Sequence, residues 1–150
     1  MNRFHRWFCR SRLWRHALEA KLLPWAMDGL SLGDELLEIG PGPGLATDLL
    51  QRRFRRITAL EIDSSLAESL GRRTVNHNVR VVQGDATALP FADEFFTGAV
   101  CFTMLHHVPS EGLQNQLLAE VCRVLKRGGC SQVPTVCLAE ACSSFIWATQ

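Results

Sequence analysis

Between residues 36 and 50 the chain reads LLEIGPGPGLATDLL: an apolar run broken by Glu38, then Gly40, Gly42 and Gly44 alternating with Pro41 and Pro43, then a helical pattern. Glycine takes backbone angles closed to other residues and, lacking a side chain, lets a ligand lie against the main chain. Proline stiffens such a turn. Glu61 closes the run ITALEID roughly twenty residues after Gly42, the separation at which an acid at a neighbouring strand end accepts hydrogen bonds from both hydroxyls of a ribose. Asp85 follows VRVVQG in the same way. Each of these also has a plain structural reading, the loop as a turn and the acids as solvated strand ends or helix caps. Glu38 stands where the pattern wants an apolar residue, and a buried carboxylate is costly unless paired; a ligand ammonium would pair it. His106 and His107, in MLHHV, carry imidazoles that titrate near neutrality and suit either proton transfer or the shaping of a loop.

Positioning these groups requires strands that end together. From Leu32 onward, strand-like apolar runs alternate with helical amphipathic segments, the signature of a parallel sheet with crossover helices. The strands are expected at ELLEIG, ITALEID, VRVVQGD and GAVCFTML. The helices are expected at GLATDLLQRRF, SSLAESLGRR and EGLQNQLLAEVCRVLKRGG, the last closed by its glycines. In an open parallel sheet ligands bind at the carboxyl ends of the strands, where the strand order reverses, and the glycine loop falls there.

The chain has 150 residues, 47% hydrophobic and 21% charged, enough for one domain with one core. A net charge of +1 sets up no global field for nucleic acid or anionic membrane, so a nucleic-acid partner is not expected. Six cysteines form no CxxC pair and no zinc-ligand cluster, and no secretory signal precedes them; reduced thiols in a cytoplasm are expected, with no metal. The segment before Glu19 carries five arginines and several aromatics. It reads as a helix docking Trp7, Leu13, Trp14 and Leu18 on the domain, ahead of a membrane-surface helix making peripheral contact and a transit peptide.

The ordered set LLEIGPGPG, ITALEID, GDATALPFADEFF, MLHHV and EVCRVLKRGG resembles the class I S-adenosylmethionine-dependent methyltransferases, over roughly residues 30–129. The resemblance implies a Rossmann-like, doubly wound parallel α/β sheet, S-adenosyl-L-methionine as cofactor, and a small-molecule methyl acceptor. By this resemblance Glu38, Gly40, Gly42 and Gly44 surround the methionyl part of the cofactor, Glu61 holds the ribose, and Asp85 with Ala86 borders the adenine. Phe102, Met104, His106 and His107 then lie beside the methyl group and the acceptor. A nicotinamide-dependent oxidoreductase shares the strand, loop and ribose acid, but its GxGxxG fingerprint meets Leu45 at the third glycine. A third reading is a methyltransferase fold that no longer turns over.

Two departures from the family pattern stand out. Phe96-Thr97-Gly98 replaces the usual Phe-Asp before the fourth strand, from which a weakened site is expected. After Gly129 the chain reads CSQVPTVCLAEACSSFIWATQ, with no strand alternation. The organisation is thus a basic, aromatic segment at 1–29, the cofactor domain at 30–129 and an atypical tail at 130–150. A shift of reading frame would account for the tail: with the free first base chosen to suit, moving back one base permits Leu, Met or Val at Cys130. On this reading the sheet lacks its last strands, and the fourth strand is left as an open edge prone to aggregation.

Overall fold

In the computed structural model the residues described are 15–16, 18–27, 32–75, 77–102, 104–127 and 135–139. The apolar runs become parallel strands β1 (Glu35–Ile39), β2 (Arg56–Glu61), β3 (Val79–Gln83), β4 (Gly98–Phe102) and β5 (Thr135–Ala139), in the spatial order β3-β2-β1-β4-β5. Consecutive residues of β1 and β4 are buried without alternation, as expected of strands covered on both faces. A short helical turn at Leu18–Leu22 runs into α1 (Leu23–Ala26); α2 (Leu45–Leu50), α3 (Ser64–Arg73) and α4 (Glu111–Val124) follow the strands. The order reverses between β1 and β4, so the loops after these two strands border the crevice of a doubly wound sheet.

Side chains alternate between two half-cores. Leu36, Ile57, Ala59 and Val100 face α2 and α3, and the N-terminal Leu18, Leu23 and Ala26 pack into the same cluster. Leu37, Ile39, Leu60, Ala99 and Cys101 face α4 through Leu117, Val121 and Val124. Of the residues expected to dock the N-terminal segment, Leu18 does so; Trp7, Leu13 and Trp14 lie outside the described residues.

Local chemistry sets the helix ends. Asp63 caps α3 by accepting the Leu66 amide (3.1 Å), and Ser110 caps α4 by accepting the Leu113 amide (3.3 Å). The helix after the glycine loop stops at Leu50 instead of running to Phe54, because the Asn78 side-chain amide donates to the carbonyls of Gln51 and Phe54. The last helix ends at Val124, short of the expected glycines, since Leu125 bridges to Phe96 and the Lys126 amide donates to the Phe96 carbonyl.

One expectation is corrected. β4 is not an open edge: Gly98 to Phe102 pair in register with Thr135 to Ala139. Alternation was the wrong test for this strand, because strands of a parallel sheet read as short continuous apolar runs such as Thr-Val-Cys-Leu-Ala. Thr97, for its part, lies at the amino end of β4, away from the crevice. Its hydroxyl accepts the Glu35 amide (3.0 Å) and reaches the Leu32 carbonyl at 2.7 Å, so it orders the start of β1 and β4 in place of the usual acid. Thr97→Val should therefore lose about 1–3 kcal/mol of stability in denaturant unfolding while ligand affinity at the far end of the strands stays unchanged.

Candidate functional site

At the carboxyl ends of β1, β2 and β4 the chain opens a cleft of about 660 Å³. Its floor is the glycine loop. The Gly44 amide donates to the Pro41 carbonyl (2.9 Å), closing a tight turn, and the Gly40 amide donates to Leu60 of β2 (2.9 Å). Gly42, with φ of +55°, has nothing within 4 Å of where a Cβ would stand, so the loop presents bare main chain to open space. Gly44, at φ +80°, is closed in: a side chain there would run into Arg73 and Leu70 of α3.

Glu61, the last residue of β2, is 5% exposed. One carboxylate oxygen accepts the Gly42 amide (2.9 Å) and the other accepts the Asp63 amide (3.0 Å). Each oxygen carries two acceptor sites, so capacity for further donors remains on both. Asp85 lies two residues beyond β3, exposed, with its Oδ1 accepting the amide and hydroxyl of Thr87 (2.8 and 2.9 Å). Ala86 beside it lines the cleft.

The structure brings Gly40, Gly42, Glu61, Asp85, Ala86, Phe102, Met104 and His107 to one cleft. It leaves Glu38, Gly44 and His106 off the lining. His106 and His107 are both exposed and their rings lie tilted at 46° with centroids 4.0 Å apart, but only His107 is on the cleft lining. Residues that sequence reasoning missed are Ile62, Asp63, Thr87 and Leu113. Ile62 had a signal: a large apolar side chain directly after a strand-end acid, here 68% exposed.

Glu38 is 1% exposed on the face of β1 that meets α2, and its Oε2 accepts the Thr47 hydroxyl at 2.7 Å. Its pairing is thus internal, with the neighbouring helix. Burial pushes its carboxyl up from the ordinary 4.5 to about 7, against the Thr47 hydrogen bond and with help from the charges of Asp48 and Glu61. Among the described residues no group of three or more histidine, cysteine, aspartate or glutamate side chains could hold a metal, and no helix is long and apolar enough to cross a membrane.

The sequence of these elements matches a known family. The profile of the Methyltransferase domain family covers residues 37–131, well over half of the chain. The chain belongs to the class I S-adenosylmethionine-dependent methyltransferases. S-adenosylmethionine is the cofactor this family is named for, whereas the third glycine of the nicotinamide fingerprint is Leu45 in this chain. A demethylmenaquinone methyltransferase of Thermobifida fusca is 34% identical over 124 residues, covering 80% of this chain and 48% of that protein. A probable ribosomal RNA small subunit methyltransferase A of Thermococcus onnurineus is 41% identical over only 64 residues, 43% of this chain and 24% of that protein. The PH0226 protein of Pyrococcus horikoshii superposes with a TM-score of 0.70 at 25% identity, over 84% of this chain and 62% of that one. This methyltransferase chain spans about half the length, or less, of the curated relatives it matches.

The raised Glu38 pKa has a definite sign. The folded state holds the proton more tightly than the unfolded chain, so the contribution to stability is complete below about pH 4.5 and lost as pH rises through about 7. Glu38→Gln keeps an acceptor for Thr47 and removes the charge. In ligand-free protein it should match the wild type at pH 5 and exceed it at pH 8, by on the order of 3 kcal/mol, as measured by thermal or urea unfolding at the two pH values.

Proposed function

We propose that this chain transfers the methyl group of S-adenosylmethionine to an apolar small molecule. The observation that carries the reading is the mixed lining of the cleft, where the Glu61 and Asp85 carboxylates, Asp63 and the glycine loop share one cavity with Phe102, Met104, Val108, Pro109, Leu113 and His107. The greater coverage of the demethylmenaquinone methyltransferase than of the ribosomal RNA enzyme favours a small acceptor over RNA.

The residues present fit the cofactor. Glu61 is buried, fixed by two amides and still able to accept from two ribose hydroxyls. Asp85 and Ala86, on the cleft lining, would border the adenine, and exposed Ile62 would offer it an apolar face. Gly40 and Gly42 let the methionyl part lie on the main chain. Glu38 acts from beneath the loop, where a bound cation would favour its ionised form; Gly44 serves the packing of the loop on α3.

When bound, S-adenosylmethionine would supply an electrophilic sulfonium methyl: an acceptor atom bonds to the methyl carbon in line as the carbon–sulfur bond breaks, and S-adenosylhomocysteine leaves with that electron pair. The chain itself contributes position and exclusion of water, the main source of rate for a donor already reactive. Phe102 and Met104 wall the region beside the loop. His107, on the cleft lining, is the side chain we assign to take the proton that the acceptor releases.

Calorimetric titration tests the reading. S-adenosylhomocysteine should bind and NADH should not, and Gly42→Val should abolish binding while unfolding stays cooperative, because its β-branched side chain enters the open cleft from a strained backbone. With S-adenosylmethionine, reduced demethylmenaquinone should accept methyl and small-subunit ribosomal RNA should not. Normal binding by the valine variant would make the loop structural only, and methylation of the RNA alone would overturn the acceptor class.

A further inference from the structure

The polar groups around the glycine loop include one that is off the cleft lining. Arg73, on the last turn of α3, donates through Nη2 to the carbonyls of Pro43 (2.9 Å) and Gly44 (3.4 Å), and through Nη1 to the carboxylate of Asp48 in α2. Asp48 is also the partner of Arg15 from the N-terminal segment, at 3.6 Å. The Arg73 guanidinium sits against Gly44, where any side chain on that glycine would displace it.

This arrangement matters because α2 has only six residues, too few to hold its own shape in water. Its N-cap, Gly44, makes no side-chain capping bond. The loop must therefore be held from outside, and it is held at two points. Glu61, at the end of β2, accepts the Gly42 amide; Arg73, on the last turn of α3, donates to the next two carbonyls. An amide and two carbonyls of three successive loop residues are thereby fixed by two side chains, leaving the Gly42 main chain facing the cleft.

We infer that Arg73 is a positioning residue: by clamping Pro43, Gly44 and Asp48 it sets the glycine loop in the geometry that receives the cofactor. The inference rests on the proposed role of that loop. Arg72 provides the matched control, since it carries the same charge one residue away and pairs on the surface with Glu68 (2.5 Å) without touching the loop.

The test uses the full chain at a temperature where every variant is folded. Arg73→Met should weaken S-adenosylhomocysteine binding about tenfold or more, Arg73→Lys should recover part of it, and Arg72→Met should bind as the wild type does. In ligand-free protein, hydrogen exchange over residues 40–50 should speed up in Arg73→Met and not in Arg72→Met, since the Gly44 and Asp48 amides are bonded within that stretch. Wild-type affinity in Arg73→Met, an equal loss in Arg72→Met, or unchanged exchange in Arg73→Met would overturn the inference. Should the wild type itself fail to bind S-adenosylhomocysteine, the cofactor role of the loop falls, and the exchange comparison still decides whether Arg73 clamps it.

Discussion

The Glu61 carboxylate is the tie on which the crevice depends. β1 and β2 are held together by their ladder as far as Ile39 and Leu60, but beyond that point two chains leave the sheet in different directions. Glu61 gathers them, taking the Gly42 amide from one and the Asp63 amide from the other. Hydrogen bonds from neutral amides to a charged acceptor are stronger than those between neutral groups, and here the acceptor is nearly buried. Asp63 is in turn the N-cap of α3. Loop, strand end and helix start are thus one hydrogen-bonded unit, and Glu61 keeps spare acceptor capacity on the cleft lining.

A second carboxylate, Glu38, works under different physics. It lies beneath the loop in the half-core, bonded to the Thr47 hydroxyl, with Asp48 and Glu61 both adding to the negative potential. Burial and like charges raise its pKa toward neutrality, while a cation in the cleft would oppose that rise. The two acids therefore divide the work: one holds backbone in place by direct bonds, the other sets the electrostatic character of the ground beneath it. Phe102, Met104 and Leu113 give the same cleft part of its apolar lining.

Much of this is legible in the sequence because it is local. Strand runs, glycine spacing and the acids at strand ends are written in short windows, and the positions of Gly42, Glu61, Asp85 and Ala86 on one cleft follow from the parallel topology alone. Glu38 was legible as an oddity, but its partner Thr47 lies on the opposite element and no spacing rule names it. Gly44 matches the motif yet serves packing, a fact set by Arg73 and Leu70 some thirty residues away. Thr97 looks like a loss when compared with the family pattern, although its hydroxyl does the ordering that an acid would otherwise do. β5 was missed because a test for alternation suits half-exposed strands and fails in a parallel sheet. The ends of α2 and α4 depend on Asn78 and Phe96, long-range contacts that periodicity does not carry.

The central claim is that one carboxylate serves the loop and the ribose together. Its most direct test is a cycle of four affinities: S-adenosylhomocysteine and its 2′-deoxy counterpart, each titrated into the wild type and Glu61→Ala. The account predicts that removing the hydroxyl weakens binding about tenfold in the wild type, in keeping with a lost bond to a charged acceptor, and has little effect in the alanine variant. Equal losses in both proteins, or none in the wild type, would contradict it.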